Sequence, residues 1–248
     1  MNSPDNKTIA APDEPSILAF GAHPDDIEFG CGAIISLETR AGRRAHSVVC
    51  SMGEASTSGT PEIRAEETRK ASHLLGATVE FLELDGDSHL EIKSAHVIKL
   101  AEIIRRIRPG IVLAPSCHVN QHPDHWRLGQ MVRDAARLAR YGGLKELLEL
   151  QAHSVDQLFF YAVTPDGEPP DIDPIYVDIS APEVHVAWTA AMNAHVSQSA
   201  TRNYVELQTT RARLLGARAG VEYAMALYPN DPLILKSLAQ AGKGARRF

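Results

Sequence analysis

The residues best equipped for chemistry are His23, Asp25 and Asp26, which abruptly end the uncharged run at residues 17–22. A histidine and an aspartate at i and i+3 in a tight turn can converge on one cation, offering a borderline nitrogen and a hard oxygen of the kind zinc accepts. Asp25 is then left over as a possible base. Pro24 fixes its own φ and biases His23 toward extended geometry, so the turn loses less freedom when it closes on a metal. The same letters also suit a plain turn whose aspartates cap a helix beginning near Ile27. A second concentration lies at residues 115–125, which hold His118, Asn120, His122, Asp124 and His125. Two such clusters are harder to explain as caps and turns than either alone. Three protein ligands with one position left open is the pattern of catalytic zinc, whereas structural zinc is usually enclosed by four ligands rich in cysteine.

What must position these groups is an alternation of strands and helices. The pattern predicts a strand at 17–22 buried on both faces, then Gly30 and Gly32 loosening the backbone before a helix at 33–41. A strand at 45–52 leads into a small, polar and mobile loop at 55–60. Pro61 stands at a helix start, with Glu62, Glu66 and Glu67 in its first turns and a stop at Gly76. A third strand at 78–84, a turn at 85–88, an amphipathic helix at 94–108, a fourth strand at 111–114 and a helix at 126–141 follow. This β-α-β alternation implies an α/β fold: a Rossmann-like, doubly wound, mostly parallel sheet with helices on both faces. In the strand order 3-2-1-4 the first and fourth strands are neighbours, so the loops at their carboxyl ends share one crevice and the two clusters meet. Beyond Gly142 and Gly143 the pattern predicts strands at 158–163 and 175–179 around a loop with four prolines, helices at 183–197 and 204–219, and a short edge strand within 221–228. These make a helical and strand extension at the C-terminal end.

Composition bounds the partners. The chain has 248 residues, 44% hydrophobic and 23% charged, with a net charge of −6. That suits one large domain at 15–240, between a polar tail at 1–14 and a frayed basic tail at 241–248. Lysines and arginines are scattered, and no apolar run approaches a bilayer span, so neither a nucleic acid nor a membrane partner is expected. Three widely spaced cysteines, Cys31, Cys50 and Cys117, point to reduced thiols and a cytoplasmic protein.

His23-Pro24-Asp25-Asp26-x-Glu28 after the first strand, with His122-Pro123-Asp124-His125 after the fourth, resembles the PIG-L/LmbE-like zinc-dependent de-N-acetylases. The stretch from Gly59 to Arg64, His195-x-Ser197-Gln198, and Tyr223-Ala224 with Asp231-Pro232-Leu233 also resemble family segments, and the nearest branch is that of the bacillithiol-synthesis deacetylases. Ala33 replaces a glycine common in the motif, and Met225 stands where that branch often has a carboxylate. The resemblance implies zinc, or iron, on His23, Asp26 and His125. It further implies Asp25 as general base, His122 paired with Asp124 supporting the transition state, and Arg64 reaching toward substrate. The implied reaction is removal of an N-acetyl group from an N-acetylglucosamine-type conjugate by a homo-oligomer, trimer or hexamer. A zinc amidohydrolase acting on a different amide and a non-catalytic zinc-binding module are the alternatives. A nucleotide site fits poorly, because Gly30-Cys31-Gly32 lacks the third glycine of that fingerprint and two aspartates stand where a pyrophosphate would sit.

Overall fold

A computed structural model describes residues 16–199, 203–242 and 244–245; the tail expected at 1–14 and half of the one at 241–248 lie outside the described residues. The strands are β1 (Ile17–Gly21), β2 (Ala45–Val49), β3 (Thr78–Phe81), β4 (Ile111–Pro115), β5 (Gln157–Tyr161), β6 (Ile175–Asp178) and β7 (Ala224–Pro229). The helices are α1 (Asp26–Arg40), α2 (Pro61–Leu74), α3 (Ser94–Ile107), α4 (Pro123–Ala139), α5 (Pro182–Ala194), α6 (Val196–Ser199) and α7 (Tyr204–Ala219). One seven-stranded sheet runs in the order β3-β2-β1-β4-β5-β7-β6, parallel from β3 to β5 and antiparallel where β7 meets β5 and β6.

Every residue of β1 is buried. Alternation of side chains along a strand sends Leu18 and Phe20 to one apolar core and Ile17 and Ala19 to the other. The first core is closed by α3 and α4, the second by α1 and α5. β1 is thus the middle of the molecule, and β4 pairs directly with it.

Three expectations change. The first helix does not wait for the glycines but begins at Asp26, so Gly30 and Gly32 lie inside α1. Their bareness serves packing rather than looseness: a Cβ at Gly30 would stand 2.2 Å from the Tyr161 ring, and one at Gly32 would stand 3.1 Å from Trp188. Tyr161 donates to the Phe20 carbonyl at 2.6 Å, and Trp188 to the Glu28 carbonyl at 2.8 Å, so both rings are pinned where they crowd the helix. The helix expected from 126 starts instead at Pro123, with proline in its first turn and His122 at the N-cap. The strand expected at the edge, β7, is interior, and its nearly unbroken buried run Ala-Met-Ala-Leu-Tyr is the composition of a strand covered on both faces.

The packing at Gly30 has a measurable consequence. Gly30→Ala is expected to lower the unfolding free energy by about 1–3 kcal/mol in chemical denaturation, because neither the helix backbone nor the pinned Tyr161 can withdraw. Gly142→Ala, where nothing lies within 4 Å of the new carbon, is the control and is expected to stay within about 0.5 kcal/mol of the parent.

Candidate metal centre

The turn from β1 into α1 is built around the Asp26 carboxylate. Its Oδ2 accepts the backbone N–H groups of Ala22 and His23, both at 2.8 Å, and so folds the chain back onto the start of its own helix. That leaves Asp25 at the N-cap in the left-handed region, with φ 104°, and its side chain caps nothing. A non-glycine residue held there costs on the order of 1–3 kcal/mol and persists only where its surroundings enforce it.

The β4–α4 turn delivers the second half of the site. Asp26 Oδ1 lies 3.0 Å from His125 Nε2, His125 Nε2 lies 3.2 Å from His23 Nδ1, and that nitrogen lies 3.5 Å from Asp26 Oδ2. Zinc bonds of the usual length, arranged as a tetrahedron, separate neighbouring ligand atoms by about 3.3 Å. These two nitrogens and one carboxylate therefore fit such an ion in spacing, in donor type and in burial. The ring nitrogens of His23, His122 and His125 also lie within 4.8 Å of one another, so a three-histidine set is present as well.

Behind His23 stands a second tier. His23 Nε2 is 3.3 Å from Asp124 Oδ2 and 3.2 Å from Asp87 Oδ1, and the Ser88 N–H donates to Asp124 Oδ2 at 2.7 Å. A carboxylate on the far nitrogen of a histidine fixes its tautomer and aims the other nitrogen at the metal. This corrects the pairing of Asp124 with His122: the Asp124 carboxylate serves His23, and only its backbone N–H reaches His122, donating to Nδ1 at 3.3 Å. The helix N-cap geometry explains the difference, because it turns the side chain of the following acid away from the cap residue. His122 is thereby set as the Nε2–H tautomer. Burial and the neighbouring His23 and His125 lower its pKa, which favours the neutral imidazole.

Three carboxylates around His23 favour positive charge at that position. Burial opposes charge on the imidazole, but Asp26, Asp124 and Asp87 outweigh it and raise its pKa well above the usual value. Burial likewise resists ionisation of Asp26, yet His125 and His23 hold it far below the usual carboxylate range. Asp25, beside this pair, is pushed up to about 6 by burial and by the Asp26 charge.

These groups open into a cleft of about 440 Å³. Asp25, Arg64, Asp87, Ser88 and residues 56–58 form a polar wall, and Phe29, Val163 and Tyr204 an apolar one. Arg64 is buried, not a surface residue, and its donors go to the Pro24 carbonyl at 2.8 Å and the Gly53 carbonyl at 3.3 Å. Gln198 donates to the Ser58 carbonyl at 2.9 Å, so the loop expected to be mobile is tied to α6. Glu28 and His195, the ends of two separated motifs, meet in the interior at 3.3 Å. Sequence reasoning missed Asp87; its signal was a carboxylate-bearing turn after a strand, at the same sheet edge as the other clusters. His118 does not line the cleft, and Cys31 and Cys50 are buried thiols. Among the described residues no helix is long and apolar enough to cross a membrane.

Residues 18–136 match the family model described as PIG-L: GlcNAc-PI de-N-acetylase. The chain is 35% identical over 127 residues to the uncharacterized deacetylase YaiS of Escherichia coli, covering 49% of this chain and 68% of that protein. It is 28% identical over 200 residues to diacetylchitobiose deacetylase of Thermococcus kodakarensis, covering 75% and 71%. A 4-oxalmesaconate hydratase of Pseudomonas putida is 29% identical over 142 residues, covering 52% and 55%. Among solved structures, the conserved protein TT1542 from Thermus thermophilus superimposes with a TM-score of 0.79 at 31% identity, over 90% of this chain and 97% of that one. With the His-Pro-Asp-Asp and His-Pro-Asp-His turns meeting across β1 and β4 as described, these likenesses identify the chain as an enzyme of the PIG-L de-N-acetylase family.

Proposed function

We propose that the chain is a zinc-dependent hydrolase that removes the N-acetyl group from an N-acetylglucosamine-type conjugate, with His23, Asp26 and His125 as ligands. The observation that carries this reading is the spacing of 3.0–3.5 Å among His23 Nδ1, His125 Nε2 and the two oxygens of Asp26, with a second carboxylate, Asp25, beside them on the cleft. Asp26 is preferred to His122 as the third ligand because it contacts both other donors, while His122 is solvent-exposed and presents its free N–H to the cleft.

When bound, zinc supplies a Lewis acid that acidifies water and polarises an amide carbonyl. Asp25, whose carboxylate accepts no backbone N–H among the described residues, takes the proton as water adds to the carbonyl carbon and returns it to the departing amine. His122 Nε2–H donates to the oxygen on which negative charge develops, a role a neutral imidazole can fill. Asp124 and Asp87 keep His23 in the tautomer that leaves Nδ1 free for the ligand position. The polar wall offers hydroxyl and carboxylate partners for a sugar, and the apolar wall offers Phe29 and Tyr204 to its flat face.

The hydratase relative motivates a second reading, in which the same water-activating base serves addition of water to a carbon–carbon double bond. Acetate release separates the two. Purified protein reconstituted with one zinc per chain is expected to liberate acetate and a free amine from N-acetylglucosaminyl compounds, and to stop when the metal is chelated. Turnover of an unsaturated tricarboxylate with no amide hydrolysis would establish the hydratase reading instead.

The adjacent aspartates make opposite predictions. Asp25→Asn is expected to keep one metal per chain while losing about 10²–10⁴-fold in kcat. Asp26→Asn is expected to weaken metal binding itself, since a neutral amide oxygen is a poorer ligand than a carboxylate. Metal titration beside single-turnover rates decides it, and metal loss in Asp25→Asn with metal retained in Asp26→Asn reverses the assignment. His122→Ala is expected to keep its metal and lose about 10²–10³-fold in kcat; loss of metal would make His122 a ligand.

A further inference from the structure

Arg64 is 4% exposed, and its guanidinium faces the most strained residue of the metal turn. Nη2 donates to the Pro24 carbonyl at 2.8 Å and lies 3.4 Å from Asp25 Oδ2, so one nitrogen holds both the peptide before Asp25 and the carboxylate of Asp25. Nη1 donates to the Gly53 carbonyl at 3.3 Å and stands 3.8 Å from Asp87 Oδ2. A planar fork can make these contacts from one fixed orientation, which an ammonium cannot.

The seat for this fork is built. Gly53 has φ +72°, and a Cβ there would lie 2.0 Å from Arg64 Nη1, so only glycine lets the guanidinium reach that carbonyl. The arginine enters from the first turns of α2, which Thr60 caps by accepting the Ile63 N–H, so its stem comes from an anchored helix start. Asp25 meanwhile sits at φ 104°, with no side-chain cap of its own to hold it there.

We infer that Arg64 is a positioning residue: with Gly53 as its seat, it clamps the Pro24–Asp25 peptide and aims the Asp25 carboxylate into the cleft. This rests on the reading of Asp25 as the base. It differs from the expectation that Arg64 reaches toward substrate, because Nη1 and Nη2 hold protein acceptors, while the buried Nε has no partner among the described residues. Proximity to the reacting atoms is what the clamp supplies, and a displacement of about 1 Å in such a group is enough to cost 10²-fold in rate.

Two arms test it. In Arg64→Met and Arg64→Lys, both loaded with zinc, kcat for N-acetylglucosaminyl hydrolysis is expected to fall about 10²-fold with KM within twofold and metal content unchanged. Lys keeps the buried cation and stem, so it remains informative if Met impairs folding. Gly53→Ala, which displaces the guanidinium without substituting any residue that lines the cleft, is expected to give the same split. A tenfold rise in KM with kcat preserved would make Arg64 a substrate contact and overturn the inference. The second arm needs no substrate: crystal structures of the Arg64 variants are expected to show residue 25 leaving the left-handed region. Asp25 retained near φ 104° without the guanidinium overturns the clamp, whatever reaction the enzyme proves to catalyse.

Discussion

The Asp26 carboxylate is the interaction on which the rest of the site depends. One of its oxygens gathers two backbone N–H groups and so sets the path from β1 into α1; the carboxylate also faces His23 and His125. A helix that starts at a carboxylate places negative charge where its own dipole favours it, so the turn is stabilised by the same group that is proposed as a ligand. Structure and chemistry cannot be separated at this residue. Moving the carboxylate would at once misplace His23, release Asp25 and uncouple the two turns.

From that constraint the other features follow outward. The parallel pairing of β1 with β4 brings the second turn within reach, and the early start of α4 at Pro123 sets His122 and His125 one helical turn apart on the same cleft. The β3–α3 turn closes over both, contributing Asp87 and the Ser88 N–H to the far side of His23. Negative charge is thereby concentrated around one imidazole in a buried setting, which favours positive charge there. The surrounding packing is correspondingly tight, with Tyr161 and Trp188 pressed onto the bare faces of α1 at Gly30 and Gly32.

Much of this was legible in the sequence, and the exceptions have physical reasons. The strand order around β1, and hence the meeting of residues 100 positions apart, followed from periodicity and the rule that places ligands at the switch point of an open sheet. The start of α1 was misjudged because glycine reads locally as a helix breaker, whereas at Gly30 the Tyr161 ring from β5 decides the residue. β7 is interior rather than at the edge, and its unbroken apolar run carries the signal for that place. The partner of Asp124 could not be read at all, since whether its carboxylate meets His122 or His23 turns on helix N-cap geometry rather than on spacing. Asp87 was hidden for a related reason: its turn folds back over a strand two places away in the sheet.

The central claim is that one cation binds between the two turns at His23 Nδ1, Asp26 and His125 Nε2. Its most direct test is anomalous diffraction from a zinc-loaded crystal, recorded on both sides of the zinc absorption edge. The account predicts a single peak per chain, within about 2.0–2.2 Å of those three donors and open toward the cleft. A peak held by His23 Nε2, Asp87 and Asp124, or one in which His122 replaces Asp26, would contradict it.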